Sequence, residues 1–179
     1  MTKLTLVIGN KNYSSWSLRA WLAMKQAGLE FAEVRIPLDW PTTHEEIRRY
    51  SPSGKVPVLI DGELKVWESL AICEYVAERF ANDLWPADVA ERAIARSICA
   101  EMHAGFQNLR ENMPMDCRNR YPGEGMTPGV EEKSIASLPF GANAAKNSEQ
   151  AAICCSENSQ LLTLCLPPLS CVLSPTKSN

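Results

Sequence analysis

No run of the 179-residue chain reaches the ~18 consecutive apolar residues of a transmembrane helix. The nearest, residues 161–173, is interrupted by Pro167-Pro168. Residues 4–9 are apolar but too short for the hydrophobic core of a secretion signal, and read as a strand. The chain is therefore expected to be soluble and cytoplasmic, with no membrane partner. An excess of positive charge is also lacking, since the net charge is −3. The one dense basic spot, Arg48-Arg49, follows Glu45 and Glu46 and reads as a solvated helix face, which gives no basis for nucleic-acid binding. Among seven cysteines there is no C-x-x-C spacing. That argues against a thioredoxin-type redox pair and against a zinc site, so no metal is expected. Cys73, Cys99 and Cys117 are widely spaced and expected as buried thiols.

What is present is ample apolar material, 45% of residues, arranged in short punctuated runs. "KLTLVIG" alternates and ends in glycine, as a first strand does. Leu18, Trp21, Leu22 and Met24 then recur at helical spacing, with Gly28 as a C′ stop. "EFAEVRIPL" places Ala32, Val34 and Ile36 on one face of a second strand closed by Pro37. In "TTHEEIRRY", Thr43 stands three residues before Glu46, the spacing of a capping box on a short helix. "GKVPVLIDGELKVWES" is two apolar runs joined by Asp61-Gly62, a strong hairpin signal. Residues 69–79 form a further helix, with Leu70, Cys73, Val76, Ala77 and Phe80 on its apolar side. "ANDLWPAD" reads as a linker. Beyond it, Asp88 with Glu91 opens one long helical pattern through Ala90, Ile94, Ile98, Met102, Phe106, Leu109 and Met113, stopped by Pro114. The order β-α-β-α-β-β-α followed by helices is an α/β domain with the start of a helical one.

Three spots could carry chemistry. Ser14-Ser15, in "NKNYSSWSLRAWLAMK", begins the first helix. The pair is either an ordinary cap or a hydroxyl donor to a ligand thiolate, aided by the helix dipole. A free thiol with a pKa of about 8.5 is mostly protonated at neutral pH, and such surroundings lower it. Pro57 interrupts a strand pattern. It marks either an edge strand or a cis X-Pro bond that aims the Val56 amide and carbonyl at a ligand backbone. Glu68-Ser69 begins the third helix, either as a cap or as an anion site for a carboxylate, with Glu68 facing an ammonium. An amino-acid head joined to a peptide backbone would suit both of these last sites.

"NYSSWSLRAWLAMKQAGL", "SPSGKVPVLIDGELKVWESLAICEYV" and "AEMHAGFQNLRENMPM", in that order, resemble a bacterial glutathione S-transferase of the serine type, similar to the zeta and related classes. The resemblance covers residues 4 to about 128. It implies a thioredoxin-like N-terminal domain, residues 1–82, followed by an incomplete all-α C-terminal domain over residues 88–128. It also implies glutathione as co-substrate, an electrophilic small molecule as second substrate, and a homodimer. By the same resemblance Ser14 activates the thiolate with Ser15 beside it, and Val56 before Pro57 pairs with the cysteinyl backbone. Glu68 and Ser69 hold the γ-glutamyl end. Lys55 and His44 are candidates for the glycine carboxylate. Met102 and Phe106 are candidates for the electrophile pocket, although their spacing also suits simple core, and His103 lies off that stripe. The zeta pattern reads Ser-Ser-Cys, where this chain has Trp16.

Residues 129–179 depart from the rest. From Val130 onward there is no Trp, Tyr, Arg, Asp, His or Met, but there are eight Ser and four Cys, two of them vicinal at Cys154-Cys155. The family pattern would continue with several helices, one of them opened by an aspartate-containing box. The segment is expected to be an atypical, disordered or out-of-frame tail. The alternative is a genuinely divergent C-terminal region. An out-of-frame tail would deprive the long helix of packing partners.

Overall fold

A computed structural model of the chain describes residues 3–81, 83–121 and 124–131. The chain divides into two compact units between Leu84 and Trp85. The expectations for residues 132–179 lie outside the described residues.

The first unit contains β1 (Thr5–Ile8), α1 (Ser15–Gln26), β2 (Ala32–Arg35), α2 (Thr43–Arg48), β3 (Val58–Asp61), β4 (Leu64–Trp67) and α3 (Ser69–Arg79). Its mixed sheet has the order β2-β1-β3-β4. β1 pairs parallel with β2 and antiparallel with β3, which pairs antiparallel with β4. Successive side chains of a strand point to opposite faces, and the core divides accordingly. Val7 and Val58 pack with Ile36 and with Ile47 of α2 on one face. Helices α1 and α3 pack against each other and against the strands, burying Ala20, Ala23, Met24, Ile72, Cys73 and Val76. Each fully buried large aliphatic side chain contributes about 1.5–3 kcal/mol. This is a thioredoxin-like α/β unit.

Local sequence explains the end of the first helix. Helix α1 ends in a Schellman motif: Gly28, at φ 67°, donates to Lys25 O, and Leu29 N–H donates to Met24 O. Glycine suits the left-handed C′ position because it has no Cβ to clash.

Several details differ from the sequence-based expectation. The buried side of α1 comprises Ser17, Arg19, Ala20, Ala23 and Met24, whereas Leu18, Trp21 and Leu22 are only half-buried. Ser17, Ala20 and Ala23 on this side are small, which suits the packing of α1 against α3. The α2 cap position is Thr42, whose Oγ1 donates to Glu46 Oε1 at 2.8 Å. Thr43 is not the capping-box residue. Its hydroxyl accepts from Trp40 N–H at 3.0 Å and donates to Pro37 O at 2.7 Å, closing the turn ahead of the helix. In the hairpin, Asp61 is the last strand residue, paired with Leu64. The central pair of the turn is Gly62-Glu63, with Gly62 at φ 62°, the type II′ pattern in which the first central residue needs positive φ.

The second unit contains α4 (Val89–Ala104), α5 (Gln107–Asn112) and α6 (Pro128–Glu131). Asp88 caps α4 by accepting from Glu91 N–H at 2.9 Å. The expected single helix to Met113 is broken at Gly105-Phe106, where Phe106 takes the left-handed conformation at φ 63°. A Cβ on Gly105 would lie 2.8 Å from Glu101 O, so the chain turns where only glycine fits. Met102, Phe106, Leu109 and Val130 form the core of this unit. The "ANDLWPAD" segment is not a wholly exposed linker, since Leu84 and Trp85 are buried. Of the three thiols expected to be buried, Cys73 and Cys99 are, but Cys117 is exposed, in the irregular stretch after α5.

Candidate functional site

The strand register brings the chemically marked segments of the first unit to one edge of the sheet. Val7 near the end of β1 pairs with Val58 at the start of β3, and Val58 pairs with Trp67 at the end of β4. The loop after β1 leading to Ser14 and Ser15, the Val56–Pro57 peptide and the Glu68-Ser69 step therefore all emerge at that edge. Helices α1 and α3 both begin there, which adds the positive ends of two helix dipoles.

Ser14 occupies the N-cap position of α1. A capping serine accepts from an amide of the first turn, but here the hydroxyl donates instead to Ser17 Oγ at 2.9 Å. Ser17 Oγ also accepts from Gly9 N–H at 3.0 Å. Ser14 is 9% exposed and Ser17 is fully buried. The loop is closely packed, since a Cβ on Gly9 would lie 3.3 Å from Ser14 Cβ and 2.7 Å from Leu38 Cδ1. Ser15, half-buried, is the first residue of the helix. Beside the pair, the Arg19 guanidinium lies over the Trp16 ring at 4.4 Å, where a cation–π attraction orients both. Arg19 is 4% exposed.

The Val56–Pro57 peptide is cis. Pro57 stands just ahead of β3 rather than inside it, so no ladder donor is lost within the strand. The preceding turn is organised by buried Ser51, whose Oγ accepts from Lys55 N–H at 3.2 Å and lies 3.0 Å from Ser53 Oγ. Lys55 itself is exposed, as is His44 on α2.

Glu68 is exposed and adopts φ 69° and ψ 128° as it leads into α3. A non-glycine residue in that region carries strain of order 1–3 kcal/mol, which folds retain mostly at functional positions. Ser69, the first helical residue, is 2% exposed.

Elsewhere the placement is different. Met102 and Phe106 are buried in the core of the second unit with Leu109 and Val130, in line with the core alternative for that pair. Phe106 lies at the corner between α4 and α5, not on the α4 stripe. His103 is half-buried on α4. Among the described residues no three His, Cys, Asp or Glu side chains are grouped so as to hold a metal ion, and no helix is long and apolar enough to cross a membrane. Sequence reading passed over Ser17, Ser51 and the Glu68 backbone. The first two are small hydroxyls without a motif, and positive φ at a glutamate has no sequence signal.

Residues 13–79 match the family described as glutathione S-transferase, N-terminal domain. A probable maleylacetoacetate isomerase of Vibrio cholerae is 38% identical over 106 residues, covering 56% of this chain and 49% of the relative. The glutathione S-transferase T1 of Arabidopsis thaliana is 32% identical over 130 residues, covering 70% of this chain and 48% of the relative. The chain thus spans about half the length of each of these relatives. Among solved structures, a Burkholderia glutathione transferase homologue with bound glutathione superposes with a TM-score of 0.64 at 21% identity, covering 95% of this chain and 84% of that one. This last likeness speaks to the fold alone. Over residues 13–79 the chain is accordingly similar to the glutathione S-transferase N-terminal domain family.

Proposed function

We propose that the protein is a serine-type glutathione transferase, which binds glutathione at the sheet edge where α1 and α3 begin and activates its thiol for attack on an electrophilic small molecule. The observation that carries this reading is the Ser14 hydroxyl. It stands at a helix N-terminus and gives its one proton to Ser17 Oγ rather than to a backbone carbonyl, and that proton can turn to a ligand while a lone pair keeps the contact with Ser17. A hydrogen bond to the charged form of a group favours that form. An O–H donated to sulfur, together with the α1 dipole, lowers the thiol pKa and leaves thiolate at neutral pH. The thiol proton goes to solvent. The thiolate then forms a C–S bond to the electrophile as the leaving group departs with the bonding electrons.

The remaining assignments follow the same reading. Ser15 shares the turn. Val56, before the cis peptide, pairs through its backbone with the cysteinyl residue. Glu68 takes the ammonium of the γ-glutamyl end, and Ser69 takes its carboxylate with the free amides of α3. Lys55, exposed after the Ser51 turn, is the assignment for the glycine carboxylate. A cytoplasmic homodimer is part of the proposal.

A second reading is a module that binds glutathione without turnover or an inactive truncated fragment. It is favoured by the burial of Met102 and Phe106 in their own core, which leaves no electrophile pocket assigned to them. Retention on immobilised glutathione followed by conjugation of a chloronitrobenzene separates these readings. Retention with chloride release supports the transferase. Retention without turnover establishes the binding module, and loss of both in a folded protein removes both binding readings.

A further inference from the structure

Ser17 has no part in the assignments above, yet it accepts the hydrogen bond of the hydroxyl on which they rest. Its hydroxyl is fully buried and stands between Gly9 N–H at 3.0 Å and Ser14 Oγ at 2.9 Å. A serine hydroxyl has one proton to donate and two lone pairs that accept. As the structure stands, Ser14 donates to Ser17, and Ser14 cannot give that one proton to a thiolate as well. If Ser14 turns its proton to a ligand, Ser17 keeps the Gly9 bond on one lone pair and is able to donate its own proton back to Ser14 Oγ. The O···O contact is preserved and its direction is reversed.

Resting on the proposed function, we infer that Ser17 is a positioning residue for Ser14, and that thiolate binding reverses the Ser14–Ser17 hydrogen bond. The resulting chain runs from Gly9 N–H to Ser17, from Ser17 to Ser14, and from Ser14 to sulfur. Aligned hydrogen bonds polarise one another, so Ser14 becomes a better donor than an isolated hydroxyl. Its position is fixed as well, because Ser17 is held by the backbone of the loop that closes on Ser14 Cβ. No bond to carbon is made or broken in this rearrangement, and each hydroxyl keeps one proton.

The test is the pKa of the glutathione thiol bound to the full chain, followed by thiolate ultraviolet absorbance, in wild type, Ser14→Ala, Ser17→Ala and the double variant. Ser17→Cys replaces Ser17→Ala if the alanine variant is unfolded by circular dichroism, because sulfur keeps the volume but donates weakly. Ser17→Ala is expected to raise the bound-thiol pKa by about half a unit to one unit while changing the glutathione Kd by less than about threefold. In the Ser14→Ala background the same change is expected to add nothing, the coupling that defines action through a neighbour. A Ser17 variant with the wild-type thiol pKa, or an additive double variant, overturns the inference and leaves the proposed function standing. A Ser14→Ala protein with the wild-type thiol pKa overturns both.

Discussion

Glu68 holds a backbone conformation that glycine adopts readily and other residues resist. Glu68→Gly is therefore expected to raise unfolding free energy by about 1 kcal/mol, the strain released being offset in part by added freedom of the unfolded chain. The same change should weaken glutathione binding, because it removes the carboxylate assigned to the γ-glutamyl ammonium. Denaturant unfolding and a glutathione titration of one variant read both effects. A less stable protein with unchanged affinity would contradict the account. At Ser14, alanine should lower kcat at least tenfold while changing affinity much less, since the hydroxyl acts on the thiolate rather than on the whole tripeptide. Equal loss in both would show a binding role only. The sequence displayed Ser14, Pro57 and Glu68 through their positions at element boundaries. It did not display whether Ser14 caps its helix or serves a ligand, because that depends on where Ser17 and Gly9 lie in space.

Elements show the same division between local signal and tertiary geometry. Asp88 and Gly28 mark the ends of α4 and α1 through side-chain and backbone chemistry that is local, and both were legible. The α4–α5 corner was not. Its apolar positions run on in phase through Met102, Phe106 and Leu109, so periodicity alone reads one helix. The corner is held instead by Arg110, which donates to Gly105 O at 3.1 Å and also to Met102 O. Burial pushes the Arg110 pKa down, but the group remains a cation and ties up carbonyls freed at the end of α4. Arg110→Met should destabilise the protein by about 1–3 kcal/mol through those lost charge-assisted bonds, and Arg110→Lys should restore little because it lacks the planar fork. Unchanged unfolding in Arg110→Met would remove the corner role.

On the sheet side, Lys11 and Trp21 meet at Glu33. Lys11 Nζ donates at 2.8 Å and Trp21 Nε1 at 2.6 Å, with the Lys11 ammonium over the Trp21 ring at 4.5 Å. Burial pushes the Glu33 carboxyl up, but the hydrogen bonds from Lys11 and Trp21 and the charges of Lys11 and Lys25 together hold it below the ordinary glutamate range. A depressed carboxyl contributes stability that is present above its unfolded pKa and is lost as pH falls through the lower folded value. Trp21 fluorescence should report a transition on the acid side of ordinary glutamate, absent in Glu33→Gln. A midpoint at or above the ordinary value would reverse the sign argued here.

At the scale of the whole molecule, the strand register brings together the groups of the proposed reaction. β1, β3 and β4 deliver three separated segments to one edge, and two helices begin there. The β-α-β-α-β-β-α order and its hairpin were legible because each connection carries its own turn chemistry, Gly28 and Gly62 above all. In the second unit the long-range packing partners were not. Val130, in a segment whose composition breaks with the rest, closes on Met102, Phe106 and Leu109. The claim at the centre is that this edge binds glutathione as thiolate through Ser14. The decisive measurement is a pH titration of thiolate absorbance for glutathione bound to this chain and to its Ser14→Ala variant. The account predicts a midpoint at least one unit below the free-thiol value of about 8.5 in the wild type, a difference of about 1.4 kcal/mol, and a return toward the free value in Ser14→Ala. An unshifted wild-type midpoint, or the same depressed midpoint in both proteins, would contradict it.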